Sequence, residues 1–258
     1  MNTILAVVCF TSVTVNILFL ALASIYVAKR GGIAFLLQKI SLGRIKPNQK
    51  QPTLPIFYLQ RKSLLDVLPL DSPHAIFLGD SIVHECEWSE LFDDPSSNFG
   101  SLKIKNRGIS GDTTVRLRGR LDDILESKPQ KIFLMIGVND LHEKRPIPEI
   151  IRNYSEILTR IKNSLPDTTV FIHSVLPVNH NFRENKKKYV KNRNVVSLNS
   201  YLQTLAGEFS YPYIDLFSHF ADSKSQLSDR YTLDGSHLNG KGYLLWKQLI
   251  EQEIGLQG

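Results

Sequence analysis

Four short clusters hold the residues with which this sequence can do chemistry: Gly79-Asp80-Ser81, Asn106 through Gly111, Gly137-Val138-Asn139-Asp140 and Asp234-Gly235-Ser236-His237. Together they supply a hydroxyl, an imidazole, carboxylates, a side-chain amide and glycine N–H groups. Acyl transfer uses that inventory: a nucleophile, its base, an orienter for the base and donors for a developing oxyanion. A serine hydroxyl attacks poorly until a base takes its proton. Ser81 is the candidate nucleophile and His237 the candidate base. Asp234, three residues earlier, can reach the imidazole Nδ1 and leave Nε2 for Ser81. The Asn139 amide and the Gly111 N–H, which no side chain shields, are candidate oxyanion donors. Each cluster also has a plainer reading. The glycines suit turns at strand ends, Asp234-Gly235 suits a surface turn, and Asn139-Asp140 suits a helix cap. What favours chemistry is that all four occur in order, each at the end of a strand or the start of a helix.

Those elements follow from apolar patterning. Short apolar runs at Ala75–Leu78, Leu102–Lys105, Lys131–Ile136, Thr169–Val175 and Tyr211–Asp215 read as five strands. Between them, Thr113–Leu125, Pro148–Leu165, Val195–Ala206 and Gly240–Ile254 place apolar residues on single helical faces. Asp112 or Thr113 is the expected cap of the first. A turn after Ser81 leads into a helix holding Trp88, Leu91 and Phe92, which exposes Oγ at a helix N-terminus. Alternating strands and helices predict a parallel sheet covered on both faces, with ligands at the carboxyl ends of the strands.

The blocks Phe77-Leu78-Gly79-Asp80-Ser81-Ile82, Asn106-Arg107-Gly108-Ile109-Ser110-Gly111-Asp112-Thr113, Ile136-Gly137-Val138-Asn139-Asp140 and Asp234-Gly235-Ser236-His237-Leu238-Asn239 resemble the SGNH hydrolases, or GDSL esterases. The likeness covers roughly residues 70–255. It is strongest to the branch of platelet-activating-factor acetylhydrolase-like and lysophospholipase-like enzymes. The resemblance implies a flavodoxin-like three-layer α/β/α fold with a five-stranded parallel sheet, and neither metal nor cofactor. It makes Ser81 the nucleophile and Asp234 and His237 the rest of a triad. The N–H groups of Ser81 and Gly111 and the amide of Asn139 become the oxyanion hole. The GxSxG elbow of α/β-hydrolases is absent around Ser81. Asp80 reads as a brace for its loop.

The N-terminus has another character. Ile4–Ala28 is a 25-residue stretch without a charge, long enough to span a bilayer as a helix. Small residues at Ala21 and Ala23 would also suit signal cleavage, but no base precedes the stretch, which favours a retained anchor. Residues 1–65 carry eight bases and no acid, so the remainder holds 23 bases against 25 acids. The basic excess therefore belongs to the arm, and a nucleic-acid-binding domain is disfavoured. Bases following the span favour a cytoplasmic catalytic domain, with export open to a signal-anchor. The expected organisation is an anchor at 1–30, a basic juxtamembrane segment and Pro-rich linker at 31–55, and a hydrolase domain at 56–258.

The function expected is a membrane-anchored serine esterase acting on carboxylic esters or thioesters through an acyl-Ser81 intermediate. Two substrate classes remain: acyl lipids, including lysophospholipids, and acetyl groups on glycans. A flavodoxin-like binding module for FMN or a nucleotide is the rival of another class. Its phosphate cradle would sit where Asp80 and Glu85 place carboxylates, and neither GxGxxG nor GxxxxGK[ST] occurs. A degenerate hydrolase serving as a tether is a third reading. Cys9 and Cys86 form no CxxC pair, and His84, Glu85 and Cys86 lack metal-ligand spacing. His84 and Cys86 are placed at the pocket wall. The other five histidines beside His237 are read as structural or solvated. Arg107 reads as an anion contact or a salt-bridged arginine. Residues 178–194, polar and basic, read as a solvated loop or a lid.

Overall fold

The computed structural model describes residues 54–93, 102–182 and 190–254, with the isolated positions 16, 21, 24 and 25, which are helical. The chain divides into two compact units, 1–53 and 54–258. Apart from those four positions the expected membrane span lies outside the described residues, as do residues 31–53 and positions 183–189 of the loop at 178–194. Among the described residues no helix is long and apolar enough to cross a membrane.

The second unit opens with α1 (Ile56–Val67), which the sequence reading did not anticipate. The five expected strands follow: β1 (Ala75–Gly79), β2 (Ile104–Gly108), β3 (Lys131–Met135), β4 (Thr169–His173) and the two-residue β5 (Tyr213–Ile214). All pair in parallel, in the order β2-β1-β3-β4-β5. Strand side chains alternate between two cores. Ile76, Leu78, Ile132, Leu134, Val170 and Ile172 face one; Ala75, Phe77, Phe133, Met135 and Phe171 face the other. Both faces are therefore apolar, as a parallel sheet between helical layers requires.

The first core is closed by α4 (Thr114–Arg118), α5 (Asp122–Glu126), α7 (Ile147–Ser164) and α8 (Asn192–Phe209). The apolar face read along 148–165 is the buried one: Ile150, Tyr154, Ile157, Leu158 and Ile161 are all fully enclosed. The second core is closed by α2 (Ser81–His84), α3 (Trp88–Leu91), α9 (Leu216–Phe220) and α10 (Gly240–Ile254). Phe77 stacks on Trp88 with centroids 3.7 Å apart, and on Phe133 at 4.9 Å. Phe133 stacks in turn on Phe171 at 4.8 Å. This aromatic column crosses three adjacent strands beneath the turn that presents Ser81.

Two expectations of continuous helix are corrected. The helix read at 113–125 is broken between α4 and α5, where the Gly119 N–H is shared between the Val115 and Arg116 carbonyls. Glycine resists helix, and the break coincides with Arg120 reaching back to the Asp112 carboxylate and the Arg107 carbonyl. Thr113 caps α4 by accepting from the Arg116 N–H. Likewise Ser81 opens a separate four-residue α2 rather than the helix holding Trp88. The β2 strand runs on through Gly108, because Asn106, Arg107 and Gly108 pair with Phe77, Leu78 and Gly79.

Candidate active site

The strand order reverses around β1, and the loops following β1, β2 and β3 emerge side by side at that switch point. Ser81 is the first residue of α2, immediately beyond β1. Its N–H therefore has no intrahelical acceptor, and the Asp80 side chain caps the turn, its Oδ1 accepting from the Ile82 N–H at 3.1 Å. The far end of α2 is held from β2. The Asn106 amide donates to the carbonyls of Val83, His84 and Cys86 at 2.8–3.0 Å, and the Trp88 indole donates to Val83 as well. Gly108 lets these elements meet, since a Cβ there would stand 2.3 Å from the His84 nitrogen.

His237 arrives from the loop before α10. Its Nε2 lies 3.0 Å from Ser81 Oγ, and its Nδ1 lies 2.6 Å from Asp234 Oδ2. The other oxygen of Asp234 accepts the backbone N–H groups of Ser236 and His237, each at 2.8 Å. Partial burial pushes the Asp234 carboxyl upward, but these N–H groups and the ring outweigh it and hold the pKa near 2. Asp234 is thus a fixed anion that orients the imidazole with Nδ1 protonated and Nε2 turned to the serine. Glu85 Oε1 stands 3.9 Å from the same Nε2 and brings a second carboxylate to the site.

Asn139 lies in α6 (Val138–His142), directly after β3. Gly137 occupies the cap position, so Asn139 and Asp140 are not caps. Asp140 is fully buried and ties α6 to α4, accepting from the Thr114 N–H at 2.9 Å and its hydroxyl at 2.6 Å, and pairing with Arg145. Asn139 Nδ2 donates one N–H to the Asp112 carbonyl at 2.9 Å, which leaves the second. Gly111 takes a left-handed φ of +77°, a conformation that glycine adopts without strain. Asp112, beside it, is a hub: it is ion-paired with Arg120, accepts from the Thr113 N–H and accepts from the Tyr58 hydroxyl of α1 at 3.3 Å. The Gly111 turn is therefore braced from α6, from the link between α4 and α5, and from α1 together.

Ser81, Asn139 and His237 line one cleft of about 210 Å³, with Ile82, Val138, His142, Leu176, Pro177, Val178 and Ser236. Gly111 is not among the lining residues and connects to the cleft through Asp112 and Asn139. His142 and the Leu176–Val178 wall are new to the site. The wall follows β4, where the strand-end rule could have located it. His84 and Cys86 are not in the wall, contrary to expectation. Cys86 is buried in the second core, and the His84 Nδ1 accepts from Ser110, whose N–H and Oγ lie at 3.3 and 2.8 Å. Arg107 is buried and donates to the carbonyls of Asn106 and Pro69, so it faces the scaffold instead of a substrate. Of the other histidines, His173 is wholly buried against Phe133 and Trp246. Among the described residues no group of three or more His, Cys, Asp or Glu side chains is placed to hold a metal ion.

Known proteins resemble this chain in sequence and in fold. The signature of the GDSL-like Lipase/Acylhydrolase family matches residues 77–245. An acetylxylan esterase of Geobacillus stearothermophilus is 20% identical over 161 residues, covering 60% of this chain and 74% of that protein. A solved structure from Streptococcus pneumonia, named for platelet activating factor, superposes with a TM-score of 0.69 at 29% identity, over 77% of this chain and 92% of that one. A GDSL-like lipase from Bacteroides thetaiotaomicron shares the fold, with a TM-score of 0.64 at 22% identity over 76% and 96% of the two chains. With the family signature spanning 77–245, the chain belongs to the GDSL-like lipase/acylhydrolase family and is an ester hydrolase of the SGNH superfamily.

Proposed function

We propose that this chain is a membrane-anchored serine esterase in which Ser81, His237 and Asp234 form the triad. The observation that carries the reading is the continuous contact Ser81 Oγ–His237 Nε2 at 3.0 Å and His237 Nδ1–Asp234 Oδ2 at 2.6 Å. In the reaction, Ser81 Oγ attacks the ester carbonyl while its proton passes to His237 Nε2. The carbonyl oxygen takes the negative charge and is met by the N–H groups of Ser81 and Gly111 and the second N–H of Asn139. Collapse expels the leaving alcohol, which takes the proton from His237 and leaves acyl-Ser81. Water then gives a proton to His237 and attacks the acyl carbon, and a second collapse releases the acid and restores the serine. Asp234 stays ionised throughout and stabilises the transient imidazolium.

The anchor is residues 1–30, the linker 31–55 and the catalytic domain 56–258. The bases that follow the span support a cytoplasmic position for the domain. Proximity to lipid supports acyl lipids or lysophospholipids as substrates. The second reading, a glycan O-acetylesterase, is favoured by the acetylxylan esterase relative and by the modest cleft. The test is hydrolysis of p-nitrophenyl esters from acetate to palmitate by the full chain in detergent, beside Ser81→Ala. An optimum at long chains supports the lipid reading, and an optimum at acetate supports the glycan reading. Equal turnover by Ser81→Ala, or none with any ester from the folded wild type, would overturn the esterase mechanism.

A further inference from the structure

The helix α1 presents its apolar residues to the outside. Its buried edge is Tyr58, with Arg61, Lys62 and Leu65 half-buried beside it. On the opposite arc Ile56 is 74% exposed, Phe57 53%, Leu64 46% and Val67 76%. At 100° per residue these four fall within about one third of the helix circumference, so they form one ridge. Residues 56–68 hold six of the eleven exposed large apolar side chains found among the described residues. Folded domains rarely leave such a ridge uncovered without a use for it.

Three features indicate what covers it. The helix starts three residues after the end of the N-terminal unit at residue 53. That unit contains the charge-free stretch 4–28, and no acid precedes Asp66, which pairs with Lys62 at 2.9 Å. The chain leading into the ridge is therefore basic in sequence, with eight bases between residues 29 and 62, complementary to anionic lipid. Finally, Phe57 at the ridge's first turn borders the Gly111 turn, 3.7 Å from where a Gly111 Cβ would stand. The ridge thus begins at the rim of the active site.

We infer that α1 is an interfacial docking helix, which beds Ile56, Phe57, Leu64 and Val67 into the surface of an anionic bilayer and holds the rim of the active site at the lipid interface. The inference rests on the proposed anchoring by residues 4–28. Residues 29–55 span at most about 95 Å when extended, so the tether keeps the bilayer at high effective concentration and a weakly binding ridge suffices. A docked amphipathic helix buries its apolar face about 5–10 Å into the headgroup boundary. A lipid ester leaving the leaflet would then reach Ser81 with little exposure of its chain to water.

The test uses the full chain in a Cys9→Ser background, reconstituted into phosphatidylcholine–phosphatidylglycerol vesicles. Environment-sensitive dyes are attached at Ile56→Cys, Leu64→Cys or Val67→Cys, with Tyr201→Cys as an exposed control on α8. Brominated acyl chains should remove most of the emission at 56, 64 and 67 and spare 201, and iodide in the buffer should do the reverse. Quenching of all four sites by iodide alone would overturn the docking while leaving the anchor intact. Protection of the ridge from both quenchers would overturn it too, since residues 1–53 or a second copy would then cover it. A chain that does not float with vesicles would overturn the docking together with the anchor. None of these readouts depends on ester hydrolysis, so the esterase mechanism stands or falls separately.

Discussion

Replacing Asp80 by asparagine should change the pH dependence of stability more than stability at any one pH. Asp80 is 1% exposed, next to Ser81, with Oδ1 accepting from the Ile82 N–H. Burial pushes its carboxyl up to about 7, with the Ile82 N–H pulling the other way, Asp112 adding to the rise and His237 opposing it. In the unfolded chain the group titrates near 3.8. Between these values the native state keeps a proton that the unfolded state has released, so stability falls as pH rises through the window. A gap of about three pH units at ~1.4 kcal/mol each is about 4 kcal/mol. Asp80→Asn keeps an oxygen for the Ile82 N–H and cannot ionise. Its stability relative to wild type should therefore climb by about 4 kcal/mol between about pH 4 and about pH 8, then level off. The amide's own burial cost shifts the curve by a constant and leaves the slope untouched. Guanidinium titrations followed by tryptophan fluorescence report it cleanly, because both tryptophans of the chain, Trp88 and Trp246, are fully buried in the second unit. Parallel stability curves for the two proteins across that range would refute the argument.

The buried His173 should act in the opposite sense. Burial lowers its pKa from 6.5 to about 3, so the unfolded state binds the extra proton and stability falls as pH drops below 6.5, by ~1.4 kcal/mol per unit. The advantage of His173→Leu over wild type in the same titrations should therefore grow toward acid. Asn139→Ala should lower kcat about 10²–10³-fold with little change in KM, as loss of an oxyanion donor does; steady-state kinetics on a p-nitrophenyl ester would show an unchanged kcat if Asn139 only braces the Asp112 loop. Gly108→Ala forces a Cβ against the backbone of α2, and should cost about 1–3 kcal/mol in denaturant titration and lower kcat as Ser81 shifts.

Much of this site is legible in the sequence because parallel α/β topology converts chain position into spatial position. Ser81, Asn139 and the Gly111 turn each end a strand, and the strand order β2-β1-β3 makes those ends neighbours. Asp234 and His237 sit three residues apart, which suffices for the side chain to reach the ring. The brace around Asp112 was not legible. It joins Tyr58, Arg120 and Asn139, separated by 81 residues from first to last, through contacts that no local pattern encodes. The helix carrying Tyr58 is not legible for a related reason. Its apolar residues lie on the exposed arc and its buried edge is a tyrosine beside two cations, the reverse of the periodicity that marks a core helix. The break at Gly119 was hidden because Leu117, Leu121 and Ile124 all stay buried on either side of it. Arg107, close to the Gly111 turn in sequence, points into the scaffold because alternate residues of β2 face opposite sides of the sheet.

The central claim is that Ser81 is the nucleophile and is activated through His237. Incubating the full chain with a fluorophosphonate, which modifies only activated serines, and mapping the adduct by peptide mass spectrometry tests it most directly. The adduct should form on Ser81 alone and should be lost or greatly slowed in His237→Ala. An adduct on another serine, or labelling of Ser81 at the same rate without His237, would contradict the mechanism.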